Sequence, residues 1–453
     1  MIVICIGMFM TNLDVSIVNI ALPTISDYFD VDLGVASWTV IVYTLVLSSF
    51  LLTFGRMGDV YGFKRIFLIG MALFTLGSFL NSISGSIVEL LVFRAIQAAG
   101  GGMMSSIAYA MTSHYLPNES RGIGLGYMSV MMAVGLALGP VIGGYLTEYL
   151  NWQSIFLINI PIGIVGLAMA VKFVPDSSPV GGQRINYVSS GIIFVAMFSM
   201  ILGLNLGNSM GWTSPWLILT FVVGIIALML FIRYERSVDN PLIEPKLIAN
   251  RDVLKASLSS LFVMGAFAGA FVLLPYYFEY TRGLSTETTG LVLMVASIPV
   301  MVIGPLVGKI SKSAGLRFIS AVGAGVAAGS FAIMMMYDVD SGWIMILVGL
   351  AIFGIGEGLY MAPNTNYIFT MVTKEYEGIT SGLSSTFKNI GSSFGIAAME
   401  SVFTASIVGS DLVPGFRVAF ILGGVLSLLA AVMMLVTRNG SKKVGENGAG
   451  EGI

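Results

Sequence analysis

Five ionisable residues stand inside long apolar runs of this chain: Asp14, Arg94, Glu357, Lys388 and Glu400. Glu279 lies near the end of another run. A charge in hydrocarbon is costly unless it is paired, hydrated or neutralised. Residues of this kind therefore mark ion and proton pathways, substrate contacts or interhelical ion pairs. Other chemistries are poorly supplied. Cys5 is the only cysteine and His114 the only histidine, so an internal disulfide is excluded and a histidine-based metal centre is not expected. His114, beside Tyr115 near the end of a run, is read as structural. No nucleotide loop, metal cluster or nucleophile–histidine pair is found, which argues against an enzyme.

The elements that must hold these charges are membrane helices. Hydrophobic residues make up 56% of the chain and charged ones 10%, with a mean hydropathy of +0.91. Soluble domains carry roughly 25% charged residues, so a chain of this length could not cover its surface in water. About fourteen runs of roughly 20 residues, each long enough to span a bilayer, follow one another from Met1–Pro23 to Val418–Thr437. The first run begins at Met1 without a basic segment before it and is read as a retained span rather than a removed signal peptide. An even number of spans puts both termini on one side. Arg282 and Arg417 are the only basic residues in one set of breaks, and the other set holds the rest, including Arg56, Lys64, Arg65 and Arg121. The basic-rich side is therefore expected in the cytoplasm. Trp38, Trp152, Trp212, Trp216 and Trp343 all fall at the opposite, outer interface.

The chain also repeats. A shift of 256 residues carries Gly100 onto Gly356, Gly102 onto Gly358, Gly126 onto Gly382, Gly135 onto Gly391 and Gly139 onto Gly395. Glycines recurring at one offset imply two halves with the same helix packing. Two spans, roughly Tyr187 to Tyr234, are left between them. The expected organisation is a six-helix bundle over 1–174, two inserted helices with linkers over 175–256, a second six-helix bundle over 257–437, and a cytoplasmic tail over 438–453.

Several motifs carry a family resemblance. Between the second and third spans stand Gly55, Arg56, Gly58, Asp59, Gly62, Lys64 and Arg65. This stretch resembles the signature loop of the major facilitator superfamily. The resemblance implies that Asp59 caps a helix of the other half, near Glu377–Ser381, and holds the cytoplasmic side shut. The second-half counterpart, Gly304 to Arg317, is degenerate, with Lys309 where Asp59 would be. The fifth span carries Gly135, Gly139, Pro140, Gly143 and Gly144, which resemble the motif associated with antiporters. The fourth carries Arg94, Gln97 and Gly100, similar to a motif whose arginine is tied to proton transfer. Leu13 to Pro23, and Asn240 to Asp252, resemble the fourteen-helix drug:proton antiporters of the EmrB and QacA type. The implied protein is an all-α polytopic membrane protein of the major facilitator fold, two six-helix bundles plus two inserted helices. It would export hydrophobic or cationic compounds in exchange for protons; the alternative is a transporter of one metabolite. The expected partners are substrate, protons and the bilayer of the cell membrane. No cofactor, metal or nucleic acid is expected, and a monomer is. The proton gradient would be the energy source, with about 2.3 kcal/mol per charge crossing 100 mV.

Among the candidate proton-coupling and cavity residues Asp14, Arg94, Gln97, Glu357, Lys388 and Glu400, depth suggests one pair. Asp14 and Arg94 lie roughly 15 and 10 Å from the outer side at 1.5 Å per residue, so an ion pair between them is feasible and would keep Asp14 charged. Glu357, near mid-membrane between Gly356 and Gly358, is then the leading exchangeable proton site. The sequence leaves open whether Lys388 neutralises it, or whether Glu400 takes the role. Phe267, Phe271, Tyr276, Tyr277 and Phe278 are read as packing or lipid contact more readily than as a binding box.

Overall fold

A computed structural model describes residues 1–31, 33–176, 185–238, 241–243, 247, 249–407, 409 and 411–437. Its architecture is all-helical. The long helices are α1 (Ile2–Phe29), α2 (Trp38–Tyr61), α3 (Phe63–Ser82), α4 (Ile87–Tyr115), α5 (Asn118–Tyr149), α6 (Asn159–Phe173), α7 (Tyr187–Met210), α8 (Pro215–Glu235), α9 (Arg251–Tyr276), α10 (Thr286–Ala314), α11 (Leu316–Met334), α12 (Trp343–Thr370), α13 (Glu377–Ala405) and α14 (Val413–Val436). A four-residue helix, Ser154–Leu157, leads into α6. Thirteen spans among the described residues are apolar enough to cross a bilayer, the Ser154–Leu157 turn and α6 counting as one; of the long helices only α13 is not. The shortfall of α13 has a cause in its sequence. Thr380, Ser381, Ser384, Ser385, Thr386 and Lys388 are all buried along it. A helix that faces protein instead of lipid is free to be polar.

The repeat read from the glycines is a repeat of helix contacts. In the first half α5 lies against α1, and methyl groups at Gly135 and Gly143 would come within 2.9 Å of the Phe9 carbonyl and 2.8 Å of the Ile17 side chain. In the second half α13 lies against α9 in the same way, with Gly391 on Leu261 and Gly395 on Gly265. Gly100 meets Gly70 of α3, and its counterpart Gly356 meets Ala327 of α11. Small residues let backbones approach closely where lipid offers no hydrophobic drive for helix association. The two halves meet through α2 with α13 and α5 with α10. Gly126 touches Gly304 there, and Gly382 lies on the Leu51 carbonyl.

The inserted pair sits outside the bundles. Helix α7 reaches α2 through Phe50 and Phe194, with centroids 4.5 Å apart, and α13 through Asn208. Helix α8 packs on α7 around Gly224 and turns Val222, Ile225 and Met229 outward.

The structure departs from the sequence reading in three places. The stretch from Gly55 to Arg65 is not a loop. Helix α2 runs to Tyr61 and α3 starts at Phe63, so the turn is Gly62 alone, at φ 91°. A side chain at that φ would be strained, which is the need for glycine there. Helix α9 begins at Arg251, capped by Asn250, and ends in a π turn over Tyr277–Thr281 after Pro275. Trp152 lies at the tryptophan-bearing end but is buried, packed on Tyr28, Phe29 and Phe156. The side chain of Lys309, and Asn240, Glu244 and Pro245 of the branch-like stretch, lie outside the described residues.

Candidate functional site

Three polar clusters are built into the bundles. The first joins five elements of the first half. Arg94 Nη1 donates to Asp14 Oδ2 and to Gln97 Oε1, at 2.6 Å each. Arg94 Nε donates to the Thr39 carbonyl at 3.0 Å. Gln97 Nε2 donates to Asp14 Oδ1 at 2.7 Å and to Ser78 Oγ at 2.8 Å. Asn81 donates to Gln97 Oε1 at 2.7 Å, and Asn159 to Asp14 Oδ1 at 3.2 Å. The Tyr43 ring covers the guanidinium at 4.4 Å, with Phe156 at 5.6 Å. Asp14, Arg94 and Gln97 are 0% exposed. The ion pair that depth made feasible is therefore present, but it is sealed. In this conformation none of the three residues lines a cavity, contrary to the sequence expectation. A buried pair survives only when its remaining donors and acceptors are satisfied. Thr39, Ser78, Asn81 and Asn159 satisfy part of that demand and the Tyr43 ring covers the guanidinium, although Arg94 Nη2 is buried without a partner among the described residues; sequence reading missed them because each is an ordinary residue until the helices converge.

The second cluster closes the end of the bundles that carries most basic residues. The backbone amides of Gly378 and Ile379 donate to Asp59 Oδ1 and Oδ2 at 2.7 and 2.8 Å. These are free amides of the first turn of α13, where a carboxylate also meets the positive end of the helix dipole. Gly55 makes the approach feasible, since a methyl group there would lie 2.6 Å from the Gly378 carbonyl. Arg56 is buried, Gly58 lies against Phe63 and Ile107, and Lys64 pairs with Asp176 at 3.0 Å, while Arg65 stays exposed. Beside Asp59, Glu377 accepts from Ser113 Oγ at 2.7 Å. His114 Nδ1 stands 3.4 Å from it and Arg121 Nη2 3.7 Å. His114 thus belongs to this closure. The repeat offered a signal for it, because Arg121 and Glu377 are counterparts at the offset of 256.

The third cluster is sparse. Glu357 stands midway along α12, on the face it shares with Phe353 and Asn364. It is half-buried, and no hydrogen bond or ion pair reaches its carboxylate among the described residues. Lys388 of α13 is buried. Its Nζ donates to Thr365 Oγ1 at 2.9 Å and lies 4.0 Å from the Tyr109 ring centre. No carboxylate is in ion-pairing distance of it among the described residues, so Lys388 does not neutralise Glu357 by direct contact. Glu400 belongs elsewhere: Asn208 of α7 donates to it at 2.8 Å, and Trp212 donates to the neighbouring Ser401 at 2.9 Å.

The remaining sequence candidates lie among packing contacts or at the helix surface. Phe267, Tyr277 and Phe278 are core residues, and Phe267 packs edge-on against Phe353 at 4.9 Å. Ser16, whose Oγ donates to the Leu136 carbonyl, fills the space over Gly139, and Gly143 meets Ile17. Pro140 lies inside α5, and Gly144 has nothing within 4 Å of where a side chain would start.

A family model described as Major Facilitator Superfamily matches residues 4–184 and 181–396. The chain belongs to the major facilitator superfamily. Among curated members it is 32% identical to the riboflavin transporter RibZ of Clostridioides difficile (strain 630), over 90% of this chain and 88% of that one. It is 30% identical to the multidrug resistance protein Stp of Mycobacterium tuberculosis (strain CDC 1551 / Oshkosh), over 88% and 74%. It is 29% identical to the cephamycin export protein CmcT of Amycolatopsis lactamdurans, over 95% and 90%. The fold is shared with the human organic anion transporter MFSD10, at a TM-score of 0.72, 13% identity and 95% and 98% coverage. It is also shared with the proton:xylose symporter XylE, at 0.66, 13%, 96% and 94%. The protein is thus a multi-pass membrane transporter of this superfamily.

Proposed function

We propose that this transporter is a proton-coupled exporter of hydrophobic or cationic organic compounds, of the fourteen-helix EmrB and QacA type. It resides in the cell membrane with the basic-rich end and both termini in the cytoplasm. The observation that carries this reading is Glu357, a half-buried carboxylate midway through the membrane with no described partner. A carboxylate so placed is costly when charged and empty, so it takes either a proton or a cation. Competition between the two at one group couples their opposite movements. The coupling needs access from one side at a time. Asp59 on the first turn of α13, with Glu377 clasped beside it, supplies a closure at the cytoplasmic end, and the conformation is then outward-facing. Relatives with multidrug resistance and export names support the direction of transport. The relative named a riboflavin transporter supports a second reading, a carrier of one natural compound with the same coupling.

The test uses proteoliposomes with a pH-sensitive dye and ethidium as the cation. Wild type should release protons when ethidium is added, and Glu357→Gln should not, at unchanged protein yield. Active transport of ethidium by Glu357→Gln at the wild-type rate would remove Glu357 from the mechanism.

A further inference from the structure

Lys388 presents a charge that the proposed mechanism does not use. It lies within α13, only 7% exposed, and its ammonium has one hydroxyl and one aromatic face for company. A buried ammonium normally keeps a carboxylate close, because desolvation is compensated poorly by neutral partners. The other buried carboxylates near the seam between the halves are engaged elsewhere. Asp14 is saturated by Arg94, Gln97 and Asn159. Asp59 takes two amides of α13, and Glu377 is held by Ser113, His114 and Arg121. Glu357 is two turns from Thr365 along α12, roughly 12 Å at 1.5 Å per residue.

The surroundings are polar and half-furnished. One turn from Lys388 towards the closed end, the hydroxyls of Ser384 and Ser385 are buried without a partner. Buried hydroxyls usually find partners, so two orphans beside an unpaired cation leave donors to spare. The position is also shared by both halves. Thr365 belongs to α12, and Tyr109 to α4 of the first half; they are counterparts at the offset of 256. Just below, the Ala110 amide donates to Ser381 Oγ at 3.3 Å, the start of the closure.

We infer that Lys388, with Thr365 and the hydroxyls of Ser384 and Ser385, forms an anion-accepting subsite, so that the compounds carried include amphipathic organic anions bearing a carboxylate or similar group. This rests on the transporter reading and widens its substrate class. An anionic group that reaches Lys388 draws the ammonium off the Tyr109 ring, one of the contacts between the halves above the closure. Binding of an anion and loosening of the closed end are thereby linked.

A matched pair of fluorescent probes isolates the charge: dansylglycine, a carboxylate, and dansylglycinamide, its neutral amide. Binding to the purified full chain in detergent is followed by dansyl emission. Wild type should prefer the carboxylate at least tenfold. Lys388→Gln should lose that preference while binding the amide as before, and Lys388→Arg should keep most of it. Equal binding of the two probes by wild type overturns the inference. So does a preference that survives in Lys388→Gln. If Lys388→Gln does not fold, Thr365→Val serves instead, with a threefold or larger loss of preference expected and no change overturning the subsite. Proton-driven ethidium transport is measured separately. Its absence with the dansyl preference intact would sink proton coupling and leave the subsite standing.

Discussion

Arg94 and Lys388 are both buried cations on helices at the heart of their halves, and their surroundings are opposite. Arg94 has an ion pair, an amide, a carbonyl and two rings around it. Lys388 has a hydroxyl and a ring. The repeat sharpens the contrast. Shifted by 256, Arg94 falls on Leu350 and Gln97 on Phe353, so the place of the polar core is taken in the second half by the aromatic packing of Phe353 with Phe267. Conversely, Glu357 falls on Gly101 and Lys388 on Met132. A side chain at Gly101 would start 2.7 Å from the Tyr43 hydroxyl, the ring that covers Arg94. Building the sealed core therefore excludes a carboxylate from that position in the first half. The first half spends these polar groups on a sealed core, whereas Glu357 and Lys388 of the second have no counter-charge among the described residues.

The contrast can be broken first at Arg94. Arg94→Ala leaves Asp14 buried without its counter-charge, a change that costs about 3–5 kcal/mol. Thermal unfolding in detergent should show a large loss for Arg94→Ala and little or none for Glu357→Gln, whose carboxylate has no described partner to lose. Equal losses would mean that the two halves are not divided in this way.

Packing comes next. Gly395→Ala forces a methyl group onto the Gly265 backbone, and overpacking of that kind costs about 1–3 kcal/mol. Gly144→Ala meets nothing, so it should be neutral or stabilise by a few tenths of a kcal/mol, as Gly→Ala does where the conformation allows. The same unfolding assay ranks them. A Gly144→Ala variant as unstable as Gly395→Ala would show a neighbour there that the present conformation lacks.

The closure offers a smaller loss than either the Arg94 core or the Gly395 contact. Asp59→Asn removes the charge from the first turn of α13 and keeps one acceptor, a loss of about 1 kcal/mol. That is enough to shift a balance between conformations roughly fivefold. A cysteine placed at Thr112, buried behind the closure, should react faster with a soluble maleimide in Asp59→Asn than in the parent chain. Unchanged reactivity would separate the Asp59 contact from the closure.

Much of this protein is determined by its sequence alone. Apolar runs of spanning length fix a helical membrane fold, because hydrocarbon tolerates no unsatisfied backbone. Glycines at one offset fix the internal repeat, because only they admit the backbone contacts now seen at Gly391 and Gly395. The Asp14–Arg94 pair was legible from depth along two helices. What the tertiary structure decided is which charges are satisfied. Helix rotation carries Tyr43 to Arg94, Asn81 to Gln97 and Asn159 to Asp14, and leaves Glu357 and Lys388 without carboxylate or amide partners among the described residues; rotation is not written in composition or spacing. It also decided that α13, the least lipid-like helix, packs against both halves, with Asp59, Ser113 and Tyr109 of the first half all meeting it. A polar helix in a membrane reads as a weak span in sequence. Only its neighbours reveal that its polarity is spent on protein contacts, which is the physical reason it can cross hydrocarbon at all.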